Sequence, residues 1–426
     1  MKRRAPSIWL TRLRSHHPLA RLGPGLITGV ADDDPSGIAT YAQAGAAYGF
    51  GMLWTMVVAY PLMSAVQSMA ARLGRVTGKG LAANIKAVFP AWILKALVAL
   101  LLLANVLNIA ADIAAMGEAA ELVSGVSRQL MTILFVVATL GLQIFVPYHR
   151  YVVFLKWFTA ALLSYAALLF VVHVPWTTAL LATVVPRFRP DWSAATMIIA
   201  VFGTTISPYL FFWQASEEVE DMRCAAPLLE NEAAAPAELR RIGWDTWTGM
   251  LYSDLSSYFI ILATAVTLHA AGITQIDTAA QAASSLEPLA GRFASLLFAT
   301  GILGVGMIGV PVLAGSAGYA LCEAMGWRWG LERKASDARA FYGVITVSVL
   351  LALVIQYLPV SPMRALFWSA VVNGIVAVPL LIVLVILVSK ASVMGPFTAS
   401  RPIRWLGWAA AALMAAAAAG TFAGIA

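Results

Sequence analysis

Apolar residues in this chain run in long blocks rather than in the short alternating patterns of a soluble fold. Blocks near 51–71, 91–121, 129–147, 150–173, 193–219, 243–271, 290–322, 340–360, 364–389 and 404–425 are each long enough to cross a bilayer as a helix. The first block is cut in two. Residues 23–31 and 38–50 are each too short to span alone, and between them stand Asp32, Asp33 and Asp34, then Pro35 and Gly37. Taking this pair as one broken span, the pattern predicts an all-α polytopic membrane protein of about eleven transmembrane helices.

A charge near the bilayer centre costs at least about 2.5–3.5 kcal/mol. Carboxylates beside helix-breaking residues therefore predict unwound backbone facing a water-filled cavity or an ion. The competing reading is an extramembrane loop between two shorter helices. A second interruption lies in the block at 193–219, where Gly203, Thr204, Thr205, Ser207 and Pro208 fall within an apolar run. Pro208 removes a backbone donor and biases Ser207 away from the helical region. Proline kinks are common in membrane helices, so the position carries the argument. Spans one and six occupy matching places in two halves of five spans, and an odd number makes the second half inverted. Interrupted spans at matching positions point to a transporter's central site.

Composition supports the class. The chain is 61% hydrophobic and 12% charged, against about 45–50% and 25% in soluble domains, and its mean hydropathy is +0.81. Arg72, Arg75, Lys79 and Lys86, then Arg328, Arg333, Lys334 and Arg339, then Lys390, Arg401 and Arg404 fall in connections on the side of the N-terminus. The connection at 272–288 is poor in cations, and Arg187 with Arg189 is a mild exception. The expectation is a multi-pass protein of an inner or plasma membrane, N-terminus cytoplasmic and C-terminus outside. Residues 1–22 read as a basic cytoplasmic tail facing lipid rather than a cleaved signal. Cys224 and Cys322 are far apart and predict no disulfide. His16 and His17 lie in the tail, and His149, His173 and His269 at segment ends, so no His cluster is expected to bind a transition metal. No phosphate loop, metalloprotease pattern or nucleophile–base arrangement is present, so neither an enzyme, a prosthetic group nor a nucleic-acid partner is expected. The expected partners are a cation and the bilayer, with no obligate protein partner.

Several stretches carry a resemblance. Gly23-Pro24-Gly25, the Asp34-Pro35 turn, Gln43-Ala44-Gly45-Ala46 and Tyr48-Gly49 resemble the first span of the Nramp family of divalent-metal transporters. Gln67 and the run Ala71-Arg72-Leu73-Gly74-Arg75-Val76-Thr77-Gly78-Lys79 resemble that family's stretch after span two, and the Pro208 region its broken sixth span. Beyond about residue 220 the likeness fades to general pattern. The resemblance implies the leucine-transporter fold, with an inverted 5+5 repeat over 23–173 and 174–389 and an eleventh helix within 390–426.

Departures from the family pattern are as informative. The Asp-Pro-Gly-Asn motif reads Asp34-Pro35-Ser36-Gly37, so the family's Asn ligand is Gly. Its sixth-span Ala-Thr-Val-Met-Pro-His reads Thr204-Thr205-Ile206-Ser207-Pro208-Tyr209, exchanging a thioether for Ser207 and a His for Tyr209. A second family His aligns with Gln214, and Asp-Leu-Ala-Glu reads Asp112-Ile113-Ala114-Ala115, without the Glu. Those His and Glu positions belong to the family's proton route. The pattern is similar to the Nramp-related magnesium transporters. A thioether favours softer metals, so its loss leaves an all-oxygen site. Mg²⁺ sheds water reluctantly and suits a roomier site with few direct ligands.

The candidate metal residues are Asp34, Asp33, Gly37, Thr204, Ser207 and Asn373. Asp34 is the expected ligand, direct or through water, with helix capping as its plainer role. Asp32 and Asp33 would raise the negative potential, Gly37 would give space, and Thr204 and Ser207 would offer carbonyls or hydroxyls. The plainer role for those hydroxyls is bonding to freed backbone. Asn373 would be a supporting ligand or helix–helix glue. Asp112 and Asp254 would line the path or pair internally, and Glu217, Glu218, Glu220 and Asp221 would form a solvated acidic helix end. Gly301, Gly304, Gly306 and Gly309 predict close helix packing. The resulting expectation is alternating-access transport of a hard divalent cation, Mg²⁺ and also Mn²⁺, without proton coupling. The alternatives are a proton-coupled Mn²⁺/Fe²⁺ importer, a sodium-coupled carrier of an organic solute on the same fold, and a non-transporting membrane sensor.

Overall fold

The computed structural model describes residues 23–146, 161–186, 192–222 and 225–425, and structural statements refer to these. The tail 1–22, His149, Arg187, Arg189, Cys224 and the predicted fifth span as far as residue 160 lie outside them. The helices that build the bundle are α1 (Pro24–Asp32), α2 (Pro35–Tyr48), α3 (Trp54–Thr77), α4 (Leu81–Val88), α5 (Ala91–Ser124) and α6 (Arg128–Phe145). They continue with α7 (Leu163–Leu168), α8 (Trp176–Val184), α9 (Trp192–Thr205), α10 (Pro208–Asp221) and α11 (Ala235–Thr264). The last are α12 (Ala294–Met325), α13 (Arg339–Ile355), α14 (Pro362–Ser389) and α15 (Arg401–Ile425). Single-turn helices and turns fill the connections.

Seven helical segments are long and apolar enough to cross a membrane among the described residues. The broken α1–α2 pair, α3 and the 17-residue α13 supply further expected spans. Packing is that of a bilayer protein. Leu103, Val137, Val347 and Val354 face outward, more than half exposed, while Asp32, Asn105, Asn108, Asp112, Gln214 and Glu218 are fully buried. A hydrocarbon solvent reverses the usual preference and leaves polar groups only one another to bond.

Both predicted interruptions are real and short. Helix persists through Asp32 and resumes at Pro35, so the first break is only Asp33 and Asp34, narrower than the expected gap between 31 and 38. The cause is local. Asp34 adopts an extended conformation and accepts the amide of Gly37, and Pro35 fills the first helical position, where no N–H is needed. The second break is Ile206–Ser207, with Pro208 starting α10 in the same way. The run at 222–241, with Pro and acidic residues, reads from its sequence as a cytoplasmic loop. Helix α11 instead begins at Ala235, so Glu238 and Arg241 are helical and held by ion pairs.

Helix α1 lies along α11 with almost no side chain between them. A Cβ at Gly29 would stand 2.2 Å from the Gly249 carbonyl oxygen, closer than any side chain can come. The start of α1 is also held by α11. The Asp245 carboxylate accepts the amides of Gly23, Gly25 and Leu26 at 2.9, 2.8 and 3.3 Å. It satisfies donors that a helix N-terminus leaves open.

Candidate metal site between the broken helices

The two breaks face each other inside the bundle. Tyr209, on the first turn of α10, donates its hydroxyl to the Ala31 carbonyl at 3.1 Å and to Asp34 Oδ2 at 3.3 Å. On the other side of the break a Cβ at Gly37 would lie 3.3 Å from Thr204 Oγ1 and 3.3 Å from the Tyr41 ring. The end of α1 thus meets the start of α10, and the start of α2 meets the end of α9. Asp34 sits at the crossing, 2% exposed.

Every donor to Asp34 is neutral. Its Oδ1 accepts the Gly37 amide at 2.8 Å and its Oδ2 accepts Asn108 Nδ2 at 2.9 Å. The same Asn108 nitrogen donates to Asp112 Oδ2 at 3.2 Å, and Asn373 Nδ2 donates to Asn108 Oδ1 at 3.1 Å. Spans one, three, six and ten therefore meet in one polar cluster. Buried acceptors are left over: Asp112 Oδ1 and Asn373 Oδ1 have no partner. The ion pairs among the described residues lie elsewhere and none involves Asp34 or Asp112. Buried acceptors without donors are costly, and a cation with its waters is the species that such a cluster suits.

The remaining candidates divide. Asp32 and Asp33 turn toward α11, where Ser253 donates to Asp32 Oδ2 at 2.6 Å and Asp33 Oδ1 at 3.0 Å. Ser257 also reaches Asp33 Oδ1, at 3.4 Å. Asp33 Oδ2 is unpartnered, while its other oxygen is taken by the two serines of α11. Ser207 takes the plainer role, donating its hydroxyl back to the Gly203 and Thr204 carbonyls at 2.9 and 2.7 Å. Asn373 meets Asp34 only through Asn108. Asp254 keeps one unpartnered oxygen, and among the described residues no cation pairs with it. Among the described residues no three His, Cys, Asp or Glu side chains converge tightly enough to hold a metal by themselves. The donor set is one carboxylate with amides, hydroxyls and backbone. Sequence reasoning missed Asn108, although it lies four residues before Asp112 and therefore on the same helical face. It also missed the i, i+4 pair Ser253 and Ser257.

Access differs at the two ends. A vestibule of about 600 Å³, lined by Ala39, Gln43, Tyr48, Thr196, Gln275 and Arg364 among others, opens over α2, α9 and α14. Tyr41, whose ring lies beside Gly37, bonds Thr205 across the breaks at 3.0 Å. The opposite end is shut by a polar ladder. Thr28 on α1 bonds Gln214, which lies 3.4 Å from Glu218, and Glu218 pairs with Arg241 at 2.6 Å. Arg241 continues to Glu238 at 3.2 Å, and Glu238 to Arg75 at 3.1 Å. Of the four acids expected at a solvated end of span six, Asp221 is exposed and the other three are held by neighbours. Glu218 is fully buried against Arg241, and Tyr319 donates to Glu217 and Glu220 at 2.8 and 2.7 Å. Packing from α11 and α12 covers what the sequence of α10 alone presents as a charged tip. Among the expected packing glycines, Gly309 faces the site itself, where its Cβ would stand 3.1 Å from Asp34 Cβ.

The profile of the family described as "Natural resistance-associated macrophage protein-like", Nramp, matches residues 25–423. The "Divalent metal cation transporter MntH" of Klebsiella pneumoniae is 27% identical over 418 residues, which cover 93% of this chain and 92% of that one. A protein of the same name from Verminephrobacter eiseniae is 28% identical over 366 residues, 81% and 80% of the two chains. Among solved structures, the Eremococcus coleocola manganese transporter superposes with a TM-score of 0.72 at 17% identity, covering 100% of this chain and 89% of its own. Mhp1, a nucleobase-cation-symport-1 family transporter, gives 0.54 at 13% identity, covering 93% and 92%. These two likenesses are of fold, the leucine-transporter fold.

Proposed function

The chain belongs to the Nramp family of integral membrane transporters, and from that premise we propose that it carries a hard divalent cation, Mg²⁺ and also Mn²⁺, by alternating access and without proton coupling. Relatives named as divalent metal cation transporters support the general class. The choice of a hard ion rests on one observation: Asp34 is surrounded by Gly37, Asn108 and Tyr209, with neither sulfur nor imidazole among its partners. Oxygen and amide donors suit Mg²⁺ and Mn²⁺, whereas a thioether favours softer ions. Gly37 stands where the family pattern has an Asn ligand and brings no side-chain donor of its own.

In this reading Asp34 holds the partly hydrated ion, directly or through water. Asn108 orients the carboxylate and Asn373 holds Asn108 in place, while Thr204 and the backbone of the second break complete the shell. Ser207 serves by capping α9, and Asp33 lowers the local potential from the α11 side. The five-helix halves 23–173 and 174–389 rock about this fixed site. The vestibule over Gln43 opens to the outside and the Glu218 end to the cytoplasm, as the distribution of Lys and Arg implies. A potential of 100 mV supplies about 4.6 kcal/mol per doubly charged ion, so inward movement needs no proton.

The test is uptake of Mg²⁺ and of Mn²⁺ into proteoliposomes holding an internal pH dye, for wild type and Asp34→Ala. Uptake of Mg²⁺ that requires Asp34 and leaves internal pH constant is the expected result. Uptake of Mn²⁺ with acidification and no response to Mg²⁺ would restore a proton-coupled Mn²⁺/Fe²⁺ importer.

A further inference from the structure

The end of the bundle closed by Glu218 and Arg241 also carries a groove of about 460 Å³ between α14 and α15. Arg72 of α3 reaches the Phe397 carbonyl at 2.9 Å, fixing the connection that enters α15 at that end. Ser389 and Lys390 line the groove from the end of α14, and Arg401, Arg404, Trp405 and Trp408 from α15. These four follow the spacing i, i+3, i+4, i+7, a single stripe along α15.

Three features of the groove point to an anion with an apolar tail. Among the described residues, no acid pairs with Lys390, Arg401 or Arg404. After Asp337 the chain contains no Asp or Glu. Lys390 lies 5.5 Å from the Phe89 ring centroid, a cation–π contact that brings no counter-charge. Second, Arg401 and Arg404 occupy the first turn of α15, where the helix dipole is positive and disfavours cations. An anion between them offsets both the dipole and their mutual repulsion. Third, Trp405 is 74% exposed and Trp408 42% exposed, one and two turns further into the bilayer. Exposed Trp just inside a cluster of cations is the pattern of a membrane interface.

We propose that this groove binds the phosphodiester headgroup of an anionic glycerophospholipid from the leaflet at the Arg401 end. The phosphate sits among Lys390, Arg401 and Arg404, and the acyl chains lie on Trp405 and Trp408. A free phosphate would use the cations and leave both indoles without a role.

The full chain in detergent is titrated with phosphatidylglycerol and with phosphatidylcholine of the same acyl chains, and bound lipid is counted by native mass spectrometry. Phosphatidylglycerol is expected to bind at least ~10-fold more tightly, a preference that Lys390→Gln/Arg401→Gln/Arg404→Gln erases. Arg401→Lys/Arg404→Lys keeps it. Should the triple variant aggregate, Arg404→Gln alone is read instead, with an expected loss of about fivefold. Equal preference in wild type and a folded charge variant would overturn the proposal. So would displacement of phosphatidylglycerol by inorganic phosphate, which would make the free ion the occupant.

Discussion

Asn108 Nδ2 stands 2.9 Å from Asp34 Oδ2 and donates to Asp112 Oδ2 from the same nitrogen at 3.2 Å. A neutral amide thus joins two buried carboxylates without cancelling the charge of either. It orients Asp34 and leaves it available to a cation, which a Lys or Arg in that place would exclude. Partners that orient a metal ligand are worth about 10–100-fold in affinity. Asn108→Ala is expected to lower apparent affinity for Mg²⁺ by that factor while the protein still elutes as wild type, measured by uptake against concentration in proteoliposomes.

Asn373 acts in series with Asn108, since among the described residues its hydrogen-bonded route to Asp34 runs through the Asn108 oxygen. Residues of one hydrogen-bonded chain do not contribute additively. Asn373→Ala should weaken uptake less than Asn108→Ala, and the double variant should be no worse than Asn108→Ala alone. Additive losses in the same assay would mean that Asn373 reaches the ion independently.

The selectivity reading can be tested by restoring what this chain lacks. A Cβ at position 37 meets Thr204 Oγ1 and the Tyr41 ring at 3.3 Å, tight but within the reach of a small shift. Gly37→Asn should therefore fold with a small shift of these neighbours, bring an amide oxygen beside Asp34 and favour an ion that sheds water more readily than Mg²⁺. Ser207→Met adds a thioether at the cost of the bonds to the Gly203 and Thr204 carbonyls, about 1 kcal/mol of helix-end stability. The double variant is expected to shift competition from Mg²⁺ toward Mn²⁺ and Cd²⁺. An unchanged order of competing ions would remove the donor-set argument.

Much of this architecture was legible in the chain itself. Breaks at Asp34-Pro35 and Ser207-Pro208 follow from local chemistry, a capping side chain or an extended residue before proline, so sequence located both. Blocks of apolar residues gave the spans because hydrocarbon tolerates few other patterns. Direction was harder to read. Nothing local distinguishes Asp33, bonded to Ser253, from Asp34, bonded to Asn108; packing against α11 or α5 decides. Ser207 illustrates the same limit, since its hydroxyl is spent on backbone carbonyls visible only once α9 ends there. Glu218 reads as a solvated helix tip until α11 brings Arg241 within 2.6 Å.

That last pair is the basis of a test of closure. Glu218 is fully buried, Arg241 is a quarter exposed, and Gln214 links them to Thr28 on α1. Removing one partner of a buried ion pair costs on the order of 3–5 kcal/mol because the other charge is left uncompensated, and partial exposure lowers that figure. The cost falls on the closed arrangement, where Glu218 has no water to turn to. Arg241→Met should therefore favour opening of this end and increase labelling of a cysteine placed at Thr28, in a background without Cys224 and Cys322. Adding Glu218→Gln removes the stranded charge and should bring labelling back toward the background level. Equal labelling of the single and double variants would show that the contact of Gly29 with Gly249 holds this end shut, with the ion pair playing no part in it.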